Sequence, residues 1–320
     1  MGKEAKKEVN LIISDIDNTI ADFFDTWSKS FAAAVAMLSA SRGISEQDIY
    51  EDIKQNTPPT FRFSPNVSGL IKNTPILQPK NEEEQKRFLK DDAKIIHKIN
   101  KMRARGDKAY TGVIATLKKA KKQGAKVVLY TDSPLKTAVG RLANMDFPVE
   151  LLDGLYTRKD DGSYEPPLFA KGKFASYWSL LEKSLGSNIV EHKDRKPNLD
   201  VMNCIMKSVG VSNPKRVVMV GDSIKSDGGS GIGAGCEFAW AKYGAKSSEN
   251  TRQVYQKIND KGHVKFGIEA NLEQINDGNR PSVVLENGFM ELSKHYSFVS
   301  PDNNKELNKS LLLQKASSGR

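Results

Sequence analysis

Three apolar segments that lie far apart in this chain each end in polar residues that include an aspartate. They are "LIISDIDNT" (11–19), "VVLYTDS" (127–133) and "VVMVGDS" (217–223). Short runs rich in β-branched residues and bounded by polar groups are typical of strands in a parallel sheet. A carboxylate at the end of a buried strand is costly unless something pairs with it. The aspartates are therefore expected to share a partner, provided that the strands are neighbours.

Helical and strand patterns alternate along the chain, which predicts an α/β fold. The core is expected to be a Rossmann-like parallel sheet with helices on both faces. The predicted strands cover 9–17, 125–133, 216–224 and 236–244. The predicted helices cover 23–43, 45–55, 81–106, 111–124, 134–145 and 198–210.

Three segments have no clear strand or helix period. Segment 57–79 carries five prolines and is expected to be irregular. Residues 153–196 are expected to be less regular and to include the hairpin-like "TRKDDGSYEPP" (157–167). The stretch "GGSGIGAG" (228–235) fits a G-x-G-x-x-A nucleotide loop, but it does not follow its strand directly. It is therefore predicted to be a mobile or tightly turned loop.

The order of these patterns also predicts how the chain divides. Residues 23–105 are expected to form a mostly helical block inserted after the first strand. The α/β core would then comprise residues 1–22 and 106–298. Residues 299–320 are polar and are expected to be a frayed C-terminal tail.

Ligands of a parallel α/β sheet gather beyond the carboxyl ends of its strands, where Asp15, Asp17, Thr131 and Asp222 are expected to meet. Carboxylates brought together repel each other and lose solvation, and a divalent cation relieves both costs. An all-oxygen site suits Mg²⁺, which would in turn hold an anionic substrate, most simply a phosphate. Within the first pair, one carboxylate can attack phosphorus while the other transfers protons.

Other groups must hold the oxygens of that phosphate. Thr131, Ser133 and nearby backbone N–H groups are the candidates. A lysine should add a positive charge, and Lys196, just ahead of the helix at 198–210, is the best placed. Its competitors are Lys193 and, more distantly, Lys171 and Lys173.

Four stretches resemble, in the right order, the four motifs of the haloacid dehalogenase-like hydrolases. They are "DIDNT" (15–19), "VVLYTDS" (127–133), Lys196-Pro197 and "VVMVGDSIKSD" (217–227). The segment leading to the second motif (110–127) and the closing strand and helix (280–296) are also similar to the family. The resemblance covers residues 8–22 and about 106–298.

The resemblance implies roles for the acidic residues. Asp15 would be the nucleophile and a ligand of Mg²⁺. Asp17 would be the general acid and base, and its backbone carbonyl would also bind the metal. Asp222 would be a further metal ligand, and Asp227 would support it through water.

The resemblance also implies which groups bind phosphate. Thr131 and the N–H of Asp132 would hold its oxygens, with Thr19 and Ser133 in support. Lys196 would bridge the phosphate and the nucleophile.

The activity implied is that of a Mg²⁺-dependent phosphomonoester hydrolase with a phosphoaspartate intermediate, acting on a small phosphorylated metabolite. An aspartate at position 17 indicates a phosphate substrate rather than a halide-containing one, because the true dehalogenases of the family lack an aspartate there. The block at 23–105 would be a helical cap, which in this family closes over small substrates. Thr111 stands where the family often has proline, and the cap carries no signature that identifies a substrate.

Two alternatives remain open at this stage. One is a nucleotidase or phosphotransferase on the same scaffold. The other is a non-catalytic basic protein that binds anions or nucleic acid, because the net charge is +10. The basic residues are spread out, however, and the densest cluster, "LKKAKKQ" (117–123), lies on a predicted helix. A solvated surface is favoured over a nucleic-acid partner.

Cysteine usage and hydropathy set the expected compartment. Cys204 and Cys236 have neither the spacing of a zinc site nor that of a disulfide framework. No apolar run approaches the roughly 18 residues of a membrane helix. The expected location is the cytoplasm, without a membrane partner, and the oligomeric state is left open.

Overall fold

A parallel sheet forms the centre of the fold. The computed structural model describes residues 6–57, 67–159, 172–259, 267–276 and 279–301. The strands are β1 (Lys7–Val9), β2 (Leu11–Ser14), β3 (Lys126–Pro134), β4 (Gly154–Arg158), β5 (Ile189–His192), β6 (Val217–Gly221), β7 (Glu237–Trp240), β8 (Val283–Val284) and β9 (Tyr296–Phe298). Seven of them pair in the order β5-β4-β3-β2-β6-β7-β8, with every pair parallel. The predicted α/β fold is confirmed.

Strand β2 lies between β3 and β6, so the three polar strand ends are neighbours. All four residues of β2 are buried. Ser14 is level with Leu129 on one side and with Val220 on the other. The chain after β2 continues this register, because the Asp15 N–H donates to the Val220 carbonyl at 2.9 Å. The expectation that these strands lie side by side is confirmed.

Alternation along each strand divides the apolar side chains between the two faces of the sheet. Ile12 and Leu129 belong to one buried cluster, whereas Ile13 and Tyr130 belong to the other. Burial on both faces explains why the central strands read as continuous apolar runs rather than as alternating ones.

Helices cover both faces and also form a separate layer. They are α1 (Phe23–Arg42), α2 (Glu46–Asn56), α3 (Val67–Asn73), α4 (Glu82–Gly106), α5 (Val113–Lys122), α6 (Leu135–Asn144), α7 (Lys173–Leu185), α8 (Leu199–Ser208), α9 (Gly229–Gly233), α10 (Lys242–Ala245), α11 (Glu249–Ile258), α12 (Ile268–Asn276) and α13 (Leu292–His295). Helices α5, α6 and α7 pack on the Ile12 face of the sheet, and α8 packs on the Ile13 face.

Helices α1 to α4 form a separate layer, and three of them start where a side chain caps the first N–H groups. The carboxylate of Asp22 accepts from the Asp25 N–H, and Ser45 and Asn81 act in the same way at the starts of α2 and α4. Their apolar faces form a third cluster around Phe31 and Ile99. Helix α11 joins this cluster, so a segment beyond residue 105 also packs into the helical block. The division into core and cap remains a proposal.

Several local predictions need correction. Segment 57–79 was expected to be irregular, but it contains α3 and a 3₁₀ turn at Pro75–Leu77. The segment 153–196 is more regular than predicted, since it contains β4, α7 and β5. Most of the hairpin-like stretch at 157–167, from residue 160 onward, lies outside the described residues, as do positions 302–320 of the predicted tail.

The glycine-rich stretch at 228–235 is helical, so the prediction of a loop was wrong. A π-helical turn at Ile224–Gly228 leads directly into α9. A Cβ on Gly228 would lie 2.8 Å from the ring of Phe238, and one on Gly231 would lie 2.7 Å from Cβ of Met219. The glycines therefore allow this helical segment to lie directly against β6 and β7.

Among the described helices, none combines the length and apolar character needed to cross a membrane.

Candidate active site

The carboxyl ends of β2 and β6 bring three aspartates together. Carboxylate oxygens of Asp15, Asp222 and Asp227 all lie within 4.8 Å of one another. Asp15 is only 5% exposed and Asp227 only 1%. Oxygen donors alone, at this spacing and this degree of burial, form a donor set that suits a hard divalent cation.

Lys196 is the lysine that reaches these carboxylates. Its Nζ lies 2.6 Å from Oδ1 of Asp15 and 2.7 Å from Oδ1 of Asp227. The competitor Lys193 is exposed to solvent, and Lys173 forms its ion pair with Asp146. The remaining competitor, position 171, lies outside the described residues.

The pKa values reflect crowded negative charge around one ammonium group. Burial raises the pKa of Asp15 to about 8, and repulsion from Asp227 and Asp222 adds to this, whereas Lys196 opposes it. Burial, followed by repulsion from Asp227, raises the pKa of Asp222 to about 7. For Lys196, burial acts to lower the pKa, but Asp15, Asp227 and Asp132 raise it above its ordinary value. Additional positive charge would be favourable at this site.

The turn after β6 fixes Asp227 against this strand. The side chain of Ser223 caps the turn by accepting from the Ser226 N–H, and Oδ2 of Asp227 accepts from the Ser223 N–H at 3.0 Å. A Cβ at Gly221 would lie 2.1 Å from the carboxyl carbon of Asp227. Glycine at position 221 is therefore required for this approach. Asp227 also contacts Lys196 directly, and its expected support of the metal through water stays a prediction.

The turn after Asp15 depends on two close contacts. Asn18 has a φ of 56°, and its Nδ2 lies 3.5 Å from Oδ2 of Asp222. A Cβ on Gly244 would come within 1.4 Å of the Asn18 carbonyl oxygen, so only glycine fits there. Thr19 is buried, and its carbonyl accepts from the hydroxyl of Tyr243 at 2.6 Å. This hydrogen bond ties the turn after Asp15 to Tyr243.

The carboxylate of Asp17 has partners outside the cluster of three aspartates. Its Oδ2 accepts from Oγ of Ser133 at 2.8 Å, and its Oδ1 forms an ion pair with Arg141. Its side chain is outside the group of oxygens that could hold a metal, at least among the residues described. The predicted metal contact through its backbone carbonyl stays a prediction.

The residues that follow β3 interact closely with one another. Thr131 is buried, and its Oγ1 accepts from the Ser133 N–H at 3.1 Å. Oδ1 of Asp132 accepts from the backbone N–H of Lys196 at 3.0 Å. The backbone carbonyl of Asp132 accepts from Nε of Arg158 at 3.1 Å. Asp132 therefore positions Lys196 through its side chain, a role that the sequence analysis did not assign.

Sequence reasoning missed Asn18, Arg141 and Arg158. Arg141 had a readable signal in the sequence, because it is a charged residue within the mostly apolar stretch "TAVGRLA" (137–143). The other two had none, since polar residues at the end of a strand or just after it are common.

The family comparison agrees with this geometry. A sequence model of haloacid dehalogenase-like hydrolases matches residues 9–235. The chain belongs to the haloacid dehalogenase-like hydrolase family. The family resemblance noted from the four motifs is confirmed.

Three solved structures are reported as similar to this haloacid dehalogenase-like hydrolase. A Thermotoga maritima protein provisionally named a β-phosphoglucomutase is 17% identical, with 89% of this chain and 96% of that chain covered and a TM-score of 0.48. A HAD phosphatase from Thermococcus onnurineus is 18% identical, with coverages of 89% and 97% and a TM-score of 0.47. A Haemophilus somnus protein provisionally named a phosphoglycolate phosphatase is 16% identical, with coverages of 89% and 97% and a TM-score of 0.45.

These identities and TM-scores are too low to indicate activity or substrate. No curated protein matches the chain.

Proposed function

We propose that this hydrolase is a Mg²⁺-dependent phosphomonoesterase that acts through a phosphoaspartate on a small phosphorylated metabolite. One observation carries the proposal: Asp15, at the end of the central strand, contacts Lys196 and lies beside Asp222 and Asp227. A buried carboxylate with a cation and a metal-type donor set beside it has what phosphoryl transfer to a side chain requires.

Asp15, Asp222 and Asp227 are the residues that would hold Mg²⁺, together with the backbone carbonyl of Asp17. The fit rests on their oxygen donors, their mutual distances and the raised pKa values of Asp15 and Asp222, which indicate that the site has too little positive charge. When bound, the ion would neutralise and orient the phosphoryl group.

The side chains of this chain would perform two displacements. An oxygen of Asp15 forms a bond to phosphorus as the bond from phosphorus to the alkoxide breaks, and Asp17 gives its proton to the departing oxygen. Asp17 then takes a proton from water, whose oxygen attacks phosphorus and releases phosphate from Asp15. Positioning and charge neutralisation account for most of the rate.

The remaining residues would bind the phosphoryl oxygens and exclude water. Thr131, the N–H of Asp132 and Lys196 would contact those oxygens. Ser133 would hold Asp17, consistent with their hydrogen bond, and Thr19 would support the turn. The helical block at 23–105 would act as the cap that selects the substrate. The protein is proposed to work in the cytoplasm.

Asp15→Asn tests the nucleophile. The variant should fold normally and lose at least about 10³-fold in kcat, because an amide cannot form the acyl phosphate. The assay is phosphate release from a panel of phosphomonoesters in Mg²⁺, run beside EDTA, and EDTA should abolish the wild-type rate. Asp194→Asn, at an exposed carboxylate nearby, is the control and should keep full activity. Normal turnover by Asp15→Asn would remove Asp15 from this role.

The same panel separates the alternatives. Nucleotides and added acceptor alcohols would reveal a nucleotidase or a phosphotransferase through the products that form. Salt-dependent nucleic-acid binding without any phosphatase activity would instead favour the non-catalytic alternative.

A further inference from the structure

Arg141 is a buried cation that the proposed mechanism does not use. It lies on α6, and its side chain is only 4% exposed. An arginine keeps its charge at any ordinary pH, so its burial is costly unless it is paired. Its partners therefore indicate why the charge is there.

Those partners belong to the site and to the two connections of the helical block. The guanidinium forms an ion pair with Oδ1 of Asp17. Its Nε lies 3.9 Å from Oδ1 of Asp107, and its central carbon lies 4.8 Å from the centre of the Phe23 ring. Phe23 is the first residue of α1, and Asp107 directly follows α4. Arg141 thus contacts Asp17 and both ends of the inserted block.

These contacts restrict how the guanidinium can turn. Asp107 is itself held, since its Oδ2 accepts from Nδ2 of Asn144 at 2.8 Å. On its other side, Asp17 accepts from Ser133. Two groups thus hold the carboxylate of Asp17, one through each oxygen. A side chain that is locked by a rigid neighbour is what precise proton transfer requires.

We propose that Arg141 is the positioning residue that holds the carboxylate of Asp17 for proton transfer. Through its contacts with Phe23 and Asp107, Arg141 also links the orientation of this carboxylate to the two connections of the helical block. The inference rests on the proposed function, because it assumes that Asp17 serves the leaving group. Arg141 itself does not contact the reacting atoms.

A second buried arginine in this chain provides a matched control. Nη2 of Arg42 lies 2.5 Å from Oδ1 of Asp92, and its side chain is only 1% exposed. Its guanidinium carbon lies 3.9 Å from the centre of the Phe88 ring. Arg42 therefore shares an acidic partner and an aromatic partner with Arg141, but it lies within the helical block and has no contact with Asp17.

The test compares Arg141→Gln, Arg141→Lys, Asp107→Asn and Arg42→Gln on two esters, phenyl phosphate and p-nitrophenyl phosphate. Phenoxide is the poorer leaving group and depends more on protonation. Arg141→Gln is expected to lower kcat/KM for phenyl phosphate by about 10–100-fold, the scale of a misplaced catalytic group, and for p-nitrophenyl phosphate by less. Arg141→Lys should restore part of the loss. Asp107→Asn should show a smaller loss of the same kind, which disappears in the Arg141→Gln background.

Arg42→Gln should lower the melting temperature and leave the ratio of the two kcat/KM values unchanged. The inference is overturned if Arg141→Gln has wild-type kinetics, or if it loses activity equally on both esters, as a merely structural defect would. If Arg141→Gln does not fold, unchanged ratios in both Arg141→Lys and Asp107→Asn overturn it.

Failure of the proposed function gives a different result. An Asp15→Asn variant that stays active, or a wild-type protein that hydrolyses no phosphomonoester of the panel, these two esters included, would reject the function, and the inference with it. An inactive Asp15→Asn variant together with an unaffected Arg141→Gln would reject the inference alone.

Discussion

Replacing Lys196 by methionine should strongly destabilise the metal-free protein at neutral pH. The Lys196 side chain is only 4% exposed, and its Nζ contacts both Asp15 and Asp227. Methionine keeps most of the volume of lysine and removes the charge. The buried carboxylates of Asp15 and Asp227, with the half-buried Asp222 beside them, would then lack this ammonium group.

The magnitude follows from burial and from the cost of an unpaired charge. Removing one partner of a buried ion pair costs about 3–5 kcal/mol. The carboxylates can limit this loss by taking up protons, since the pKa of Asp15 is already about 8 and that of Asp222 about 7. We expect a loss of about 3 kcal/mol at pH 7.5 and less at pH 5.5, where both carboxyl groups are neutral.

The sign of this pH dependence can be worked out from the wild-type protein. The pKa of Asp15 rises from an ordinary 3.8 to about 8 on folding, so between these values the folded state binds more protons than the unfolded state. Stability therefore falls as pH rises through this range. The pKa of Lys196 is raised on folding, so its contribution is fully present below its ordinary pKa of 10.5 and is constant across the experiment. Without Lys196, the carboxyl pKa values rise further and the decline steepens.

The assay is urea unfolding in EDTA at several pH values from 5.5 to 8.5, for Lys196→Met and for Lys193→Met, which alters an exposed lysine. The control should match the wild type within about 0.5 kcal/mol. A Lys196→Met loss below about 1 kcal/mol at pH 7.5, or one that does not grow with pH, would falsify the reasoning.

Two further predictions concern the metal and the turn after β6. At pH 8, Mg²⁺ at 100 times its Kd at that pH should stabilise the protein by about 2.7 kcal/mol. The same concentration should stabilise it less at pH 6, because the raised pKa values of Asp15 and Asp222 make protons compete with the ion. Thermal melts with Mg²⁺ and with EDTA measure this, and equal shifts at both pH values would contradict it. Gly221→Ala should cost about 1–3 kcal/mol or more and weaken Mg²⁺ binding, since its Cβ would lie 2.1 Å from the carboxyl carbon of Asp227. Gly154→Ala, where a Cβ would meet its neighbours at 3.4 Å, is the control, and equal effects of the two substitutions on Mg²⁺ binding would refute the role assigned to Gly221.

The sequence was informative where periodicity and burial coincide. The four predicted strands appear as β2, β3, β6 and β7, and alternation explains which side chains face each layer. The polar ends of β2, β3 and β6 could be located because a charge that ends an apolar run is rarely explained by packing. The order of the motifs was enough to identify the family.

Packing decided what the local sequence left ambiguous. The glycines at 228–233 suggest a loop when only the local sequence is considered. They form helical turns that pack against Phe238 and Met219, where there is no room for a Cβ. Similarly, α3 lies within a segment whose prolines suggested irregular structure, because its apolar side chains Val67 and Leu70 join the cluster around Phe31.

The sequence by itself determined the strand pattern, the position of Asp15 at the end of a central strand and the proximity of Asp222 to Asp15. Only the tertiary structure decided that Lys196 rather than Lys193 contacts Asp15, and that Asp17 turns towards Arg141. Those choices depend on hydrogen bonds and ion pairs between segments remote in the chain, such as the one from the Lys196 N–H to Asp132. Local pattern reports which face of an element is buried, but it does not report which distant group will lie opposite.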